Sequence, residues 1–196
     1  APGADEVGLM RRAVLAVQGQ VAAPLVLDSA SPEALEAGLK AADGKVLINS
    51  GSAERKKIER VLPLAVKYGA AVIGLALDEE GVPRKAEDRL KMARRILSAA
   101  EDAGLPRSDL VIDCLVLAAS ADQEQALETL RAIELIKGEL GLPVSLGVSN
   151  VSFGLPRRGP INSAFLAMAM GYGLDAAILN PKDERMTDTF RASAVL

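Results

Sequence analysis

Short apolar runs alternate along the whole chain with longer segments in which apolar residues recur every three or four positions. The short runs predict six strands, and each is followed by a segment of helical periodicity. The predicted strands are 24–28, 45–49, 70–76, 110–117, 144–149 and 175–179. The predicted helices follow them at 31–42, 52–68, 85–103, 122–140, 161–172 and 183–194, with one more helix before the first strand at 5–18. Repeats of roughly 30 residues built this way predict an α/β fold with a parallel sheet.

Capping signals support several of these boundaries. Ser31 followed by Pro32 is a favourable helix start, and Ser52 is predicted to cap the next helix, which Gly69 ends. The number of units leaves two architectures open. Six strands satisfy a doubly wound open sheet, although no strand-to-helix turn carries G-x-G-x-x-G. A complete eight-stranded barrel typically needs ~250 residues.

Four of the strand-like runs end in Asp or Asn. These residues are Asp28, Asn49, Asp113 and Asn150. In an α/β barrel the carboxyl ends of the strands converge on one mouth, where the active site lies. Two carboxylates and two amides would give that mouth a neutral-to-acidic, hydrogen-bonding floor, which suits a flat, nitrogen-rich ligand better than a phosphate.

Helix capping is the alternative explanation for each of the four residues. It is weaker for Asp28 and Asn49, because Ser31 and Ser52 follow three residues later and are better placed to cap. The sequence after Asp113 continues as a strand in our prediction, so no helix begins there. A carboxylate inside an apolar strand costs several kcal/mol unless it is paired or bound to a ligand, which favours a functional role for Asp113.

The segment from Gly147 to Pro156 is the most unusual stretch of the chain. Glycine inside a strand often marks the close approach of a ligand or of another backbone. A long polar loop with Arg157 and Arg158 then delays the next helix. Such loops at a barrel mouth commonly bind ligands, although a plain connector with a solvated arginine pair is the alternative.

Composition narrows the possible chemistry. The 196 residues suit one domain, 1–196, and the net charge of −3 without a basic, aromatic stripe argues against nucleic-acid binding. The chain contains no histidine and a single cysteine, Cys114, which excludes His-dependent triads and His- or thiolate-ligated metal sites. No apolar run is long enough for a membrane helix and no signal peptide is evident, so we expect a cytoplasmic protein without a metal site.

At these residues the chain resembles the pterin-binding methyltransferases, which comprise methyltetrahydrofolate:corrinoid methyltransferases and the folate-binding domain of cobalamin-dependent methionine synthase. The resemblance spans nearly the whole chain. It rests on Leu27-Asp28-Ser29, Ile48-Asn49-Ser50, Ile112-Asp113-Cys114, the segment 147–156, Ile161-Asn162 and the ending around Asn180-Pro181. It implies a (β/α)8 TIM barrel of which this chain covers about six of the eight units.

The resemblance also implies a ligand, a partner and roles for individual residues. The ligand would be 5-methyltetrahydrofolate, and its methyl group would pass to a cobalamin or corrinoid held by another domain or protein. Asp113 would bind the pterin edge and Asn150 would lie beside the methyl-bearing nitrogen, so these two are the expected catalytic residues. Further expected contacts with the folate are Asp28, Asn49, Gly147, Ser149 and Arg158.

Two features depart from the family pattern. The family begins with two strands that are not found here, and residues 1–6 resemble the segment just after the second of them, so we expect a barrel without its first two strands. Related enzymes also often have proline at the position of Cys114. Two other functions stay open: a dihydropteroate-synthase-like pterin enzyme, for which Arg157 and Arg158 would have to bind the leaving group, and a non-catalytic partial barrel that acts as a binding module.

Overall fold

The computed structural model describes residues 5–195 and contains the predicted alternation of helices and strands. Residues 1–4, the start of the segment compared with the family's second unit, lie outside the described part. The strands are β1 Val26–Asp28, β2 Leu47–Ser52, β3 Ala71–Leu75, β4 Leu110–Asp113, β5 Val144–Gly147 and β6 Ala176–Ile178. The helices are α1 Glu6–Gln18, α2 Pro32–Ala41, α3 Arg55–Tyr68, α4 Ala86–Asp102, α5 Glu124–Leu140, α6 Arg158–Gly171 and α7 Glu184–Ser193.

The order of the strands decides between the two architectures left open by the sequence. The sheet runs β1-β2-β3-β4-β5-β6, and every neighbouring pair is parallel. A doubly wound sheet reverses its strand order at a switch point, whereas a barrel adds each strand beside the previous one. The chain therefore forms a curled half-barrel with six βα units of a TIM barrel, as the resemblance implied. No helix within residues 5–195 has both the length and the apolar character needed to cross a membrane.

Aliphatic side chains fill the space between the sheet and the helices. Ile48, Ile112 and Leu146 from the strands are completely buried, as is Leu166 from α6. Packing is closest where β3 meets α4. A Cβ atom added at Gly74 would lie 2.7 Å from Cγ2 of Ile96, so the sheet approaches this helix at a distance that only glycine permits.

The prediction that a strand runs through 110–117 was wrong beyond Asp113, where β4 ends. The carboxylate of Asp113 accepts a hydrogen bond from the backbone N–H of Leu115 at 2.8 Å. Leu115 itself has a φ of 58°, in the left-handed region that favours glycine. This local hydrogen bond turns the chain away from the sheet, so Asp113 lies at the strand's end and not inside it.

The predicted strand 144–149 was also too long, because β5 ends at Gly147. Residues Val148–Ser152 form a 3₁₀ turn that contains Ser149 and Asn150. The following helix starts at Arg158, three residues earlier than predicted. Pro160 lies in its first turn, where the missing N–H of proline costs no helical hydrogen bond.

Helix starts were predicted with mixed success. Ser31 caps α2 as expected, with its hydroxyl accepting the N–H of Ala34 at 3.2 Å and Pro32 at the first position. The cap assigned to Ser52 was wrong, because Ser52 is the buried last residue of β2 and donates to the carboxylate of Glu54 at 2.7 Å. Pairing of β2 with β3 continues through Ser52, which the apolar pattern did not show.

We expect Gly74→Ala to lower the free energy of unfolding by about 1–3 kcal/mol, because the new methyl group overpacks the contact with Ile96. Gly138→Ala in α5 is the matched control. Nothing lies within 4 Å of a Cβ atom added there, so that variant should be more stable by about 0.5–1 kcal/mol. Urea denaturation of both variants measures the difference, and equal stability of the two would contradict the close packing of β3 on α4.

Candidate functional site

A cleft of about 430 Å³ opens at the carboxyl ends of strands β3 to β6, next to Asn49 inside β2. We call it the floor cleft. Its position is the one at which barrel enzymes carry their active sites. It is lined by Asn49, Leu75, Asp113, Gly147, Ser149, Asn150, Ile178, Leu179 and Asn180. Five of the residues predicted from the sequence therefore meet in one place, and none of the lining residues is a lysine or an arginine.

Asp113 is the buried acidic group of the floor cleft, with only 5% of its surface exposed. Burial raises the pKa of its carboxyl to about 6, against the lowering effect of the backbone N–H groups of Leu115 and Gly147. No lysine or arginine of the described chain contributes to that shift. The carboxylate is thus held by backbone donors alone, and it suits a ligand that supplies further N–H groups.

A second buried charge fixes the backbone that holds Asp113. The guanidinium of Arg89, on α4, is completely buried and donates to the carbonyl of Leu115 at 2.9 Å and to that of Cys114 at 3.3 Å. Its other partners are the carbonyl of Pro83 at 2.8 Å, Oγ1 of Thr129 at 2.7 Å and Oε1 of Gln125 at 2.8 Å. The guanidinium thereby connects the loops after β3 and β4 with α5.

Arg89 is not among the residues predicted from the sequence, although the chain carries a signal for it. The inner face of α4 is formed by Ala86, Leu90 and Ala93, and position 89 falls on that face by the 3.6-residue period. An arginine at an apolar position of a helix needs buried acceptors. Here the carbonyls released by the end of β4 supply them.

Asn150 lies in the 3₁₀ turn that follows β5, and Gly147 gives its side chain room. A Cβ atom added at Gly147 would lie 3.0 Å from Nδ2 of Asn150, which is tighter than most real contacts. The space beside this glycine is therefore taken by the amide. Asn162 stands behind the turn, with its Nδ2 at 3.5 Å from Oγ of Ser149.

Arg158 supports this turn and does not line the floor cleft. Its guanidinium donates to the carbonyl of Ser149 at 2.7 Å and to Oγ of Ser152 at 2.9 Å, and it lies 5.2 Å from the centre of the Phe153 ring. The first residue of α6 thus holds the turn that carries Ser149 and Asn150.

Asp28 also lies outside the floor cleft. Nδ2 of Asn49 donates to Oδ2 of Asp28 at 3.1 Å, so the carboxylate contacts the amide that lines the cleft and not the cleft itself. Asn180 lines the floor cleft but was not predicted as a site residue, although it follows β6 closely. Within residues 5–195, no three His, Cys, Asp or Glu side chains are grouped as a metal site.

Comparison with known proteins gives a consistent result. A sequence model of the family described as "Pterin binding enzyme" matches residues 2–180. Two curated relatives are methionine synthases, from Mycobacterium leprae (35% identical over 170 residues) and Mycobacterium tuberculosis (33% over 191 residues). They are matched over 80% and 91% of this chain, which spans only 14% and 16% of their lengths.

A third relative, the methylcorrinoid:tetrahydrofolate methyltransferase of Eubacterium limosum, is 30% identical over 183 residues. That match covers 92% of this chain and 68% of the relative. Among solved structures, a Yersinia pestis DHPS with a pterine-sulfa conjugate superposes with a TM-score of 0.73 at 14% identity. The superposition covers 94% of this chain and 73% of the DHPS chain. At 14% identity, this likeness supports the fold alone.

The raised pKa of Asp113 predicts how stability depends on pH. The folded protein holds this proton up to about pH 6, whereas the carboxyl of an unfolded chain releases it near its ordinary value of 3.8. Stability contributed by the protonated form is therefore lost as the pH rises between these values. Asp113→Asn removes the effect. Between about pH 4 and pH 7.5 the free energy of unfolding of the variant should therefore rise relative to that of the wild type by about 2–3 kcal/mol.

Chemical denaturation at several pH values, without ligand, measures this gain. The comparison uses the change with pH, so any constant difference caused by the new amide cancels. A difference between variant and wild type that stays the same from about pH 4 to pH 7.5 would show that the carboxyl titrates normally in the folded protein.

Proposed function

Because the chain belongs to the family of pterin binding enzymes, we propose that it binds 5-methyltetrahydrofolate in the floor cleft and takes part in methyl transfer between this folate and a corrinoid. The observation that carries the proposal is the pairing of a buried, cation-free carboxylate with an amide across one cleft, Asp113 with Asn150. The relatives support the reaction, since they include methionine synthases and a methylcorrinoid:tetrahydrofolate methyltransferase.

The donors of a pterin fit the acceptors of the floor cleft. A pterin is a flat bicycle whose aminopyrimidinone edge presents neighbouring N–H groups. A carboxylate accepts such a pair bidentately, and an ionised acceptor makes each hydrogen bond stronger. Asp113 would bind this edge, with the amide of Asn49, which lines the same cleft, as a further contact. The hydrogen bond from Asn49 to Asp28 fixes which side of that amide faces the cleft. The role of Asp28 is therefore to position the side chain of Asn49.

The chemical step needs help at the ring nitrogen that carries the methyl group. A tertiary amine is a poor leaving group until its nitrogen is protonated. The reduced metal of a corrinoid, held by another domain or protein, would supply the nucleophile. The amide of Asn150 would hydrogen-bond the ring nitrogen as it gains a proton and so stabilise the transition state more than the ground state. Solvent would supply the proton, because the chain has no histidine.

The supporting residues explain how the amide is held in place. Gly147 leaves room for the side chain of Asn150, and Arg158 fixes the turn through the carbonyl of Ser149. The floor cleft has no cation among its lining residues, which disfavours release of a pyrophosphate there. A dihydropteroate-synthase-like reaction therefore has less support from this cleft than methyl transfer.

We predict that binding of 5-methyltetrahydrofolate weakens in acid, because the ionised form of Asp113 accepts the pterin N–H groups. With a pKa of about 6, the affinity at about pH 5 should be about tenfold lower than at about pH 7. Asp113→Asn should weaken binding by about 10–100-fold at about pH 7.5 and remove this part of the pH dependence. Isothermal titration calorimetry on the full chain measures both effects.

Asp78→Asn is the matched control for the calorimetry. Asp78 also follows a strand, but it pairs with Arg95 at 3.0 Å and does not line the floor cleft, so its variant should keep the wild-type affinity. Equal affinity of Asp113→Asn and wild type would refute the binding role of Asp113. Absence of folate binding by the wild type would refute the proposed function and favour a non-catalytic module.

We predict that Asn150→Ala lowers the rate of methyl transfer by about 10²-fold or more, because the lost hydrogen bond acts mainly in the transition state. The dissociation constant of the folate should change much less. Single-turnover stopped-flow with free cob(I)alamin measures the rate, and calorimetry measures the binding. Gly147→Ala, which forces the amide of Asn150 to shift, should slow transfer in the same direction. Unchanged transfer by Asn150→Ala would remove this residue from the mechanism.

A further inference from the structure

One buried hydroxyl beneath the floor cleft has no hydrogen-bond partner. Ser145, on β5, is 2% exposed, and its Oγ neither donates nor accepts a hydrogen bond among residues 5–195. Buried hydroxyls are normally paired, because an unpaired one costs free energy. Within the same residues, Oδ1 of Asn162 is the only other buried side-chain nitrogen or oxygen without a partner. The free hydroxyl of Ser145 is therefore an exception in this chain.

The register of the sheet places Ser145 next to Asp113. The two residues are direct partners on β4 and β5. Partners on neighbouring parallel strands point to the same face of the sheet, and their strands lie about 4.8 Å apart. Gly147, two residues after Ser145, lines the floor cleft. Since side chains alternate along a strand, Ser145 lies on this same inner face, one layer below Gly147.

The carboxyl of Asp113 also reaches over β5. Two backbone N–H groups bond to it and lower its pKa, those of Leu115 and Gly147. Leu115 belongs to the loop after Asp113, but Gly147 belongs to β5. A carboxyl that meets the N–H of Gly147 lies over the part of β5 that contains Ser145. Rotation about χ1 of Ser145 would then turn the hydroxyl toward this carboxyl.

No charged side chain of the described chain contributes to the pKa of Asp113. The other residues that line the floor cleft are uncharged. Burial raises the pKa of the thiol of Cys114, the next residue, so the thiol carries no charge near neutral pH. The guanidinium of Arg89 is engaged by the carbonyls of Cys114 and Leu115. Without a neighbouring charge to dominate it, the pKa of Asp113 is sensitive to a single added hydrogen bond.

We propose that Ser145 is a positioning residue of the floor cleft, whose hydroxyl donates a hydrogen bond to Asp113 when that carboxyl is ionised. The ionised form then has a third donor besides the two backbone N–H groups. A hydroxyl bonds an ionised carboxylate more strongly than a neutral acid, and a hydrogen bond to the charged form favours that form. Ser145 would thus keep the form of Asp113 that binds N–H groups available at lower pH. The consequence for folate binding rests on the proposed function.

The first measurement needs no ligand. Carbon-13 NMR titration of the full chain follows the carboxyl signal of Asp113, which is identified by its loss in Asp113→Asn. We expect Ser145→Ala to raise the pKa of Asp113 by about one pH unit relative to the wild type. An unchanged pKa would overturn the inference. A lower pKa would overturn it too, because the hydroxyl would then accept from the protonated acid.

Ser163→Ala is the matched control. It removes a hydroxyl that donates to the carbonyl of Gly159 at 2.9 Å and does not line the floor cleft. The pKa of Asp113 should be the same in this variant as in the wild type. An equal rise in both variants would overturn the inference in favour of a general effect of losing a hydroxyl.

Calorimetry with 5-methyltetrahydrofolate measures the effect on binding. At the pH that equals the wild-type pKa of Asp113, Ser145→Ala should bind about fivefold more weakly than the wild type. At about two pH units higher, where both carboxyls are ionised, the affinities should be nearly equal. The same loss of affinity at every pH would show that Ser145 acts by packing alone and would overturn the inference.

Two further outcomes separate this inference from its alternatives. Failure of the wild type to bind the folate would refute the proposed function, while the NMR titration would still decide whether Ser145 bonds Asp113. At about pH 4.5, Ser145→Ala should melt no lower than the wild type, because the hydroxyl has no partner to lose. A lower melting temperature there would show that the hydroxyl has another partner and would overturn the inference.

Discussion

The buried guanidinium of Arg89 is the interaction on which the rest of the site depends. A charge inside an apolar core costs several kcal/mol unless its donors are satisfied, and here five acceptors surround it. Two of those acceptors, the carbonyls of Cys114 and Leu115, are available because the backbone leaves the sheet after Asp113. The same turn gives Asp113 the N–H of Leu115, so one buried cation fixes the loop that orients the buried carboxylate.

The four polar residues that the sequence predicted at strand ends divide into two kinds once the structure is known, and Asn49 lies inside β2 while Asn150 lies in the turn after β5. Asn49, Asp113 and Asn150 line the floor cleft, whereas Asp28 contacts Asn49 from outside it. Arg158 likewise stands behind the turn that carries Asn150. The candidate site thus consists of a few groups that face a ligand and of a set behind them that fixes their orientation. Sequence spacing brings both kinds to the same edge of the sheet but does not distinguish them.

Much of the fold could be predicted from the chain because hydrophobic period and turn residues agree at most boundaries. The strands β1 to β6 and the helices between them lie where the apolar pattern places them, within a few residues. The ends of β4 and β5 were predicted too late, because the turns that follow them are held by side-chain hydrogen bonds, from Leu115 to Asp113 and from Arg158 to Ser149. The partners of Arg89 come from three separate segments, so they are seen only in the folded chain. Such hydrogen bonds leave no hydrophobic period in the sequence.

The hydrogen bond from Asn49 to Asp28 has a consequence for selectivity. Because Nδ2 of Asn49 donates to Asp28, the carbonyl oxygen Oδ1 is the end of that amide that takes no part in this bond. An amide oxygen and an ionised carboxylate can only accept hydrogen bonds. Asn49 and Asp113 would therefore discriminate against a ring that presents carbonyl groups where its competitor presents N–H groups.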